Sequence, residues 1–326
     1  MSVEIDDALL EGLTALRHDR FARHRLYRGD EAARAKMRHE LGEAVEAMQA
    51  AGEGDLAVLP GADGPRAAVL WWVEEEAWHG APAQHVWVDH APDTTAIAWT
   101  CAALDAVPRT PHFDLHLDAL DVAVRRHLLA QGLGIDSVML AGEPERALEG
   151  LMATDPPPET PPDARLRIDR LGPADIEPVL DLSVRVFQAE PQWCWFGAQP
   201  AWIERQRKAF TRTEPALQEV LRLDGRIVGL WGSNVDENPF WGRTAGMNFV
   251  LAPEVRGQGL GKIAYRRLLE WQVALGVDTF KGGTNRPEVM HLARRMGREP
   301  IQTWIRSKAP FGPEHFASVL EPTAAQ

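Results

Sequence analysis

The chain has 326 residues, enough for two ordinary domains and too many for one simple core. Apolar residues make up 45% and charged residues 25%, the balance of a globular protein, and no stretch approaches the roughly 18 apolar residues that cross a bilayer. The net charge of −12 is uneven: residues 1–150 hold 13 basic against 26 acidic side chains, the remainder 22 against 21. An acidic first half argues against nucleic acid as a partner, and the near-neutral second half tolerates an anionic ligand better.

The opening, with Glu4, Asp6 and Asp7, lacks the basic start of a signal peptide, and Cys101 and Cys194 match no metal-ligand spacing. A reducing cytoplasm is expected, with both thiols as small buried side chains. Helices are predicted over 6–28 and 30–51, the second on Met37, Leu41, Val45 and Met48. The Arg- and His-rich stretch 17–28 reads as an exposed helix face. Strands at 56–59 and 67–73 flank the turn Gly61-Ala62-Asp63-Gly64-Pro65, a hairpin, and Glu74-Glu75-Glu76 reads as its solvated end. A strand at 84–88, a helix over 93–106, a strand at 113–117, a helix over 118–131 and a strand at 136–140 complete this half. His112 and His116 alternate with Asp114 and Asp118, but no third ligand is evident and no metal is expected.

Residues 154–164 form a linker: five prolines between Asp155 and Asp163 forbid helix and favour a stiff extended chain. A strand follows at 166–171, then a break at Gly172-Pro173. The next helix, over 175–187, gathers Ile176, Val179, Leu180, Val184 and Phe187 on one side, and another covers 200–211. Strands 220–223 and 226–231 enclose Asp224-Gly225, a tight-turn pair. A strand at 246–251, a helix over 261–275, a strand at 278–282, a helix over 288–296 closed by Gly297 and a strand at 301–307 end the series. Both halves read helix, helix, hairpin, strand, helix, strand, helix, strand. A duplicated α/β mixed-sheet domain whose first copy has drifted is expected.

The informative stretch is Leu251-Ala252-Pro253-Glu254-Val255-Arg256-Gly257-Gln258-Gly259-Leu260-Gly261-Lys262. A strand runs into a loop with three glycines on alternate positions, and a helix begins at once. Without Cβ atoms, successive N–H groups can converge on one point, and the helix N-terminus adds partial positive charge. That arrangement binds phosphate or pyrophosphate, with Arg256 and Lys262 at its edges. A P-loop is excluded because Gly261-Lys262-Ile263 lacks the hydroxyl, and the dinucleotide fingerprint because its glycine spacing is absent.

Arg256-Gly257-Gln258-Gly259-Leu260-Gly261 resembles the Arg/Gln-x-x-Gly-x-Gly/Ala signature of the GNAT superfamily, and Leu251-Ala252-Pro253 resembles its strand ending. Thr284-Asn285 and Arg295-Met296-Gly297 look like the second motif. The resemblance implies two fused GNAT-like domains. The first, 1–153, is degenerate and lacks a pyrophosphate loop, with His90-Ala91-Pro92-Asp93 in its stead. The second, 165–326, binds acetyl-CoA as co-substrate and moves its acetyl group to an amine. Phe249, Val250 and Leu251 would border the pantetheine and acyl carbonyl, Gly257, Gln258, Gly259, Leu260, Gly261 and Lys262 the pyrophosphate, and Asn285 the pantetheine arm. Fusions of this size resemble mycothiol-synthase-like acetyltransferases in architecture.

One departure concerns the general acid. The family commonly has a tyrosine four residues before the helix-ending glycine, where this chain has Ala293, so the acid is unassigned; the chain's tyrosines are Tyr27 and Tyr265. For the acceptor side, Glu190, Asp236 and Glu237 are candidate base or substrate-contact residues. They stand among Trp193, Cys194, Trp195, Phe196, Phe240 and Trp241, whose rings suit a cationic amine. Asn248 could orient a substrate. The acceptor is expected to be a small-molecule or peptide amine, and the protein a monomer or homodimer that avoids membranes. The alternatives are a CoA-binding regulatory module without turnover and, more remotely, a nucleotide-phosphate binder of another fold.

Overall fold

Aspartates fix where three helices of the first half begin. Asp6 accepts from the Leu9 amide at 2.8 Å, Asp30 from Ala33 at 2.8 Å and Asp93 from Ala96 at 3.0 Å, each satisfying an N–H that has no partner within its helix. The computed structural model describes residues 5–76, 81–110, 112–154, 156–189, 199–211, 216–307 and 313–321. The first half comprises α1 (Asp7–Phe21), α2 (Glu31–Ala51), β1 (Gly54–Gly61), β2 (Gly64–Glu76), β3 (Ala81–His90), α3 (Thr94–Ala106), β4 (Phe113–Asp118), α4 (Val122–Ala130), β5 (Gly134–Gly142) and α5 (Pro144–Thr154). The second comprises β6 (Leu166–Arg170), α6 (Ile176–Gln188), α7 (Pro200–Thr211), β7 (Ala216–Leu223), β8 (Arg226–Asn238), β9 (Gly242–Gly246), β10 (Asn248–Leu251), α8 (Leu260–Ala274), β11 (Thr279–Thr284), α9 (Pro287–Arg295), β12 (Glu299–Arg306) and a short α10 (Ala317–Leu320).

The order of elements repeats as the sequence predicts, with four corrections. The first helix stops at Phe21, and the stretch 17–28 is no exposed face: Arg20 and His24 are buried against aspartates of the sheet. The helix expected from 118 starts at Val122, because Asp118 closes β4 and its carboxylate accepts from the Leu120 amide at 2.7 Å. The strand expected over 246–251 is two strands that part at Met247. Helix α5 was not expected; Ala147 and Leu151 bury its inner face against α8 and α9.

All the strands join one mixed sheet, in the order β1-β2-β3-β4-β12-β5-β11-β9-β8-β7-β6, with β10 paired to β8 beside this path. The order is mirrored about the β12–β5 pair, with β6 as an additional edge strand in the second half. β4 runs parallel to β3 and antiparallel to β12, while β11 runs parallel to β9 and antiparallel to β5. Thus β12 of the second half is inserted between β4 and β5 of the first, and β5 of the first between β12 and β11 of the second. Each half lends a strand to the other. The core follows the exchange: Met290, Ala293, Ile305, Phe316 and Leu320 of the second half pack in the same cluster as Leu115, Leu117 and Leu128 of the first.

Candidate active site

The site forms where two parallel strands diverge. β9 and β11 pair at Thr244–Thr279, Ala245–Phe280 and Gly246–Lys281. The Met247 amide still donates to the Lys281 carbonyl at 3.2 Å, and then β10 turns away to pair with β8 alone. In an antiparallel pair, alternate residues aim their backbone groups at the partner strand. The Ala252 amide reaches Val228 on the β8 side at 2.9 Å, so Val250 and Asn248 also face β8 while Phe249 and Leu251 turn theirs to the open edge. Val250 points its side chain into the core and Phe249 stays partly exposed.

Beyond β10 the loop bends through Gly257 and Gly259, both at φ 76°, and Gly259 is the N-cap of α8 with no side chain covering the first turn. A Cβ at either glycine would meet no protein atom within 4 Å. These glycines are therefore required by their backbone angle, and the space above them is open. The Lys262 amide closes the turn on the Gly259 carbonyl at 3.0 Å, and the first turn of α8 brings its positive end to this opening. Arg256 folds back, its Nε donating to the Leu251 carbonyl at 3.1 Å, and so ties the loop to the end of β10. Across the cleft, Asn285 follows β11; it is buried, and its Nδ2 has no hydrogen-bond partner. An open nest of amides, a free strand edge and an orphaned buried donor line one cleft, which fits a phosphate-bearing molecule with an amide-rich arm.

On the α8 side of the cleft the Phe249 ring stacks between Trp231, at 6.3 Å, and Tyr265, at 6.4 Å. The Tyr265 hydroxyl accepts from Arg298 Nη1 at 3.3 Å, and Arg298 Nη2 donates to the Leu140 and Gly282 carbonyls at 2.8 and 3.3 Å. Burial pushes the Arg298 guanidinium below its ordinary pKa, with Tyr265 opposing the shift. Glu219 braces this face: it accepts from Trp231 Nε1 at 2.7 Å and from Arg267 of α8 at 2.6 and 2.8 Å. Burial alone would raise its pKa, but Arg267 and Trp231 hold it below the ordinary value.

On the other face a pocket of about 180 Å³ opens at the Met247 break, between α7, β7, β8 and β10. Phe210, Leu230 and Met247 give it apolar walls, and Gln218, Asn234 and Asn248 give it carboxamides. Gln218 spends its amide on the Ala209 carbonyl at 2.9 Å, leaving its Oε1, like Asn234 Oδ1, buried and unpartnered. Two oxygens without donors point to a ligand that carries N–H groups.

Asp236 lies two residues beyond Asn234 on the same face of β8 and is exposed. Glu237 faces the opposite way and stands 3.7 Å from Arg243 on the rim. Glu190 and the ring-rich loop after it lie outside the described residues. Phe240 and Trp241 pack against Phe21 and Tyr27 of the first half. Ala293 is fully buried in the shared core rather than turned to the cleft. Sequence reasoning passed over Tyr265, Gln218, Asn234 and Arg298; the signal available was a lone tyrosine one turn into the glycine-loop helix.

Residues 179–297, from within α6 to the glycine after α9, match the model of the acetyltransferase (GNAT) family. The glycine loop at the head of α8 lies inside the matched region. No curated protein matches the sequence. Among solved structures, the chain is similar to the GCN5-related glucosamine N-acetyltransferase region of a fungal multi-domain GH3 β-N-acetylglucosaminidase, at 14% identity and TM-score 0.52 over 93% of this chain and 37% of that one. It is also similar to a GCN5-related N-acetyltransferase from Sphaerobacter thermophilus, at 15% identity and TM-score 0.51 over 84% of this chain and 86% of that one. This chain spans only 37% of the fungal protein's length. Both likenesses extend well beyond residues 179–297, and with the mirrored sheet order they give the first half the same fold as the second.

The same divergence of strands occurs in that first unit. β3 and β4 pair at Gln84–Phe113, His85–Asp114 and Val86–Leu115 and then separate. Here the gap is filled. Arg20 of α1 donates to the Val88 carbonyl on the open edge, lies 2.8 Å from Asp89 and 2.6 Å from Asp121, and is joined by Arg23 on Asp121 at 2.8 Å and His24 on Asp118 at 3.0 Å. Burial disfavours the Arg20 charge, but Asp121, Asp89 and Asp118 outweigh it and hold its pKa above the ordinary value. Asp121 is likewise held well below the usual carboxylate range, against its burial, by Arg20, His90 and Arg23.

No described helix is long and apolar enough to cross a membrane.

Proposed function

We propose that the GNAT domain transfers an acetyl group from acetyl-CoA directly to an amine of a small molecule or peptide. One observation carries this reading: the open amide nest of α8 and the donor-seeking pocket lie on opposite sides of the strand break at Met247. The pyrophosphate would sit on the amides from Gly257 to Gly261, with the Lys262 side chain beside them, since the Lys262 amide donates to the Gly259 carbonyl at 3.0 Å. The pantetheine would follow the edge of β10, bare at Phe249 and with its Leu251 carbonyl held by Arg256, toward Asn285, which brings the acyl carbonyl to Met247. The amine enters from the pocket, donating to Gln218 and Asn234, with Asp236 as the candidate to accept its proton through water. A C–N bond forms at the carbonyl carbon as the C–S bond breaks, and the departing thiolate takes a proton.

Tyr265 is our candidate for that proton donor, in place of the buried Ala293. Its hydroxyl lies on the cleft side of α8, and Arg298 faces the phenolate left behind. Tyr265→Phe should lower kcat about 100-fold, within the range typical of one general acid, with little change in acetyl-CoA affinity. An unchanged kcat would remove Tyr265 from this role. The reaction itself is tested by thiol release from acetyl-CoA over a panel of amines. The buried Ala293 keeps a second reading alive, a CoA-binding module without turnover. Tight acetyl-CoA binding with no release for any amine would favour that second reading.

A further inference from the structure

A second cavity, of about 170 Å³, lies against the acceptor pocket where the two halves meet. Lys281 lines it, and Lys281 pairs across the sheet with Gly246, which lines the acceptor pocket. The cavities are therefore neighbours about one strand spacing, ~5 Å, apart. Phe280 turns into the core beside α8 and Lys281 turns to the opposite face, beneath α1.

The charges in this cavity are unbalanced. Arg17, Arg20 and Lys281 line it with Asp118 as the one carboxylate. Arg17 is engaged by Asp89 at 3.3 Å, and Arg20 by the aspartate cluster. Lys281 forms no ion pair among the described residues; Glu40 and Asp236 act on it only at longer range. A half-buried ammonium without a counter-ion is costly, and burial pushes its pKa down. Gln302, also in the lining, accepts from Trp304 Nε1 through its Oε1 at 3.2 Å, which leaves its NH₂ for another oxygen.

We infer that this cavity is a subsite for an anionic group of the acceptor, a carboxylate or phosphate held by Lys281 and Gln302. The acceptor would carry it roughly one to two strand spacings, ~5–10 Å, from the amine that occupies the Gln218–Asn234 pocket. The substrate class is then an amine with a remote anion. This rests on the acetyl-transfer reading for the amine end, and on Lys281 alone for the anion end.

The test pairs amines of equal length with and without an anion: ω-amino carboxylates, aminoalkyl phosphates and plain alkylamines, assayed with the full chain and with Lys281→Met. The wild-type chain should favour an anionic amine by about 10- to 100-fold in kcat/KM, the range of a hydrogen bond to a charged group. Lys281→Met should erase that preference through KM while leaving kcat on plain alkylamines within about threefold, and Lys281→Arg should keep part of it. Which anion shows the larger preference separates carboxylate from phosphate. Equal selectivity in wild type and Lys281→Met overturns the subsite. Glutarate and inorganic phosphate, titrated without turnover against both chains in calorimetry, keep the two claims apart. Lys281-dependent binding with no thiol release would leave the subsite standing and remove the acetyl-transfer reading; turnover without it would do the reverse. Thermal melts of Lys281→Met should match or exceed wild type, since an unpaired, half-buried charge is removed.

Discussion

The two halves open the same gap between parallel strands, each after three paired residues, and put opposite things in it. In the second half the edge of β10 is bare at Phe249, with Arg256 taking only the Leu251 carbonyl, and the uncapped head of α8 faces space. In the first, a guanidinium from α1 occupies the edge of β3, and Asp93 covers the head of α3. A strand edge left bare needs donors or acceptors from somewhere. The second half leaves the Phe249 part of its edge bare, whereas the first covers its edge with a buried arginine from another helix. On the proposed reading, a filled cleft as much as a missing glycine loop keeps the first half from binding a cofactor.

The largest expected effect comes from emptying the filled cleft. Arg20→Met strands Asp89, Asp118 and Asp121 around a buried site with only Arg17, Arg23, His24 and His90 left. Breaking a buried pair by removing one partner costs about 3–5 kcal/mol, so denaturant unfolding should lose about that much at neutral pH. The sign with pH follows from the lowered carboxyl of Asp121. In the wild type its contribution is present above the ordinary carboxylate pKa and fades as pH falls toward the folded value. The gap between wild type and variant should narrow on acidification. A gap that widens would mean that these carboxylates do not carry the effect.

Next in size is the open cleft. Gly259→Val combines a β-branched side chain with φ 76° and projects it into the space kept clear for a ligand. Calorimetry should show acetyl-CoA affinity down by at least about 100-fold, or ~2.7 kcal/mol. The Tm should change less than for Arg20→Met. Undiminished affinity would show that the loop is not the anion site.

The contrast also marks what the sequence makes legible. The alternate glycines, the strand before them and the helix after are local, so the loop could be read from Leu251 to Lys262. The repeated order of elements is legible for the same reason. The exchange of β5 and β12 is not, because nothing in Gly134–Gly142 or Glu299–Arg306 says which neighbour each strand will take. The filled cleft was misread as an exposed helix face, since the partners of Arg20 lie 69 and 101 residues away, at Asp89 and Asp121. Tyr265 looked like any helix residue until Phe249 and Arg298 were seen beside it. Lys281 is not singled out by the sequence either, because the cavity it lines is closed by α1, more than 260 residues earlier in the chain.

The smallest expected effect separates the two barriers in the first half. Asp93 accepts from the Ala96 amide and pairs with Arg66 at 2.7 Å, and its carboxyl is held below the ordinary pKa by that amide and by Arg66. Asp93→Ala uncovers the head of α3 and removes a negative charge, making that helix end more like the head of α8. Because the site is exposed, melting should fall by only about 2 °C. If the charge on Asp93 were the sole barrier, the variant would bind a second equivalent of acetyl-CoA. With Arg20 still bonded to the Val88 carbonyl, there is no free edge for a pantetheine to follow, so the stoichiometry in calorimetry should stay at the wild-type value. A second equivalent bound by Asp93→Ala would show that the buried arginine yields to ligand, and that the two clefts differ by one exposed carboxylate.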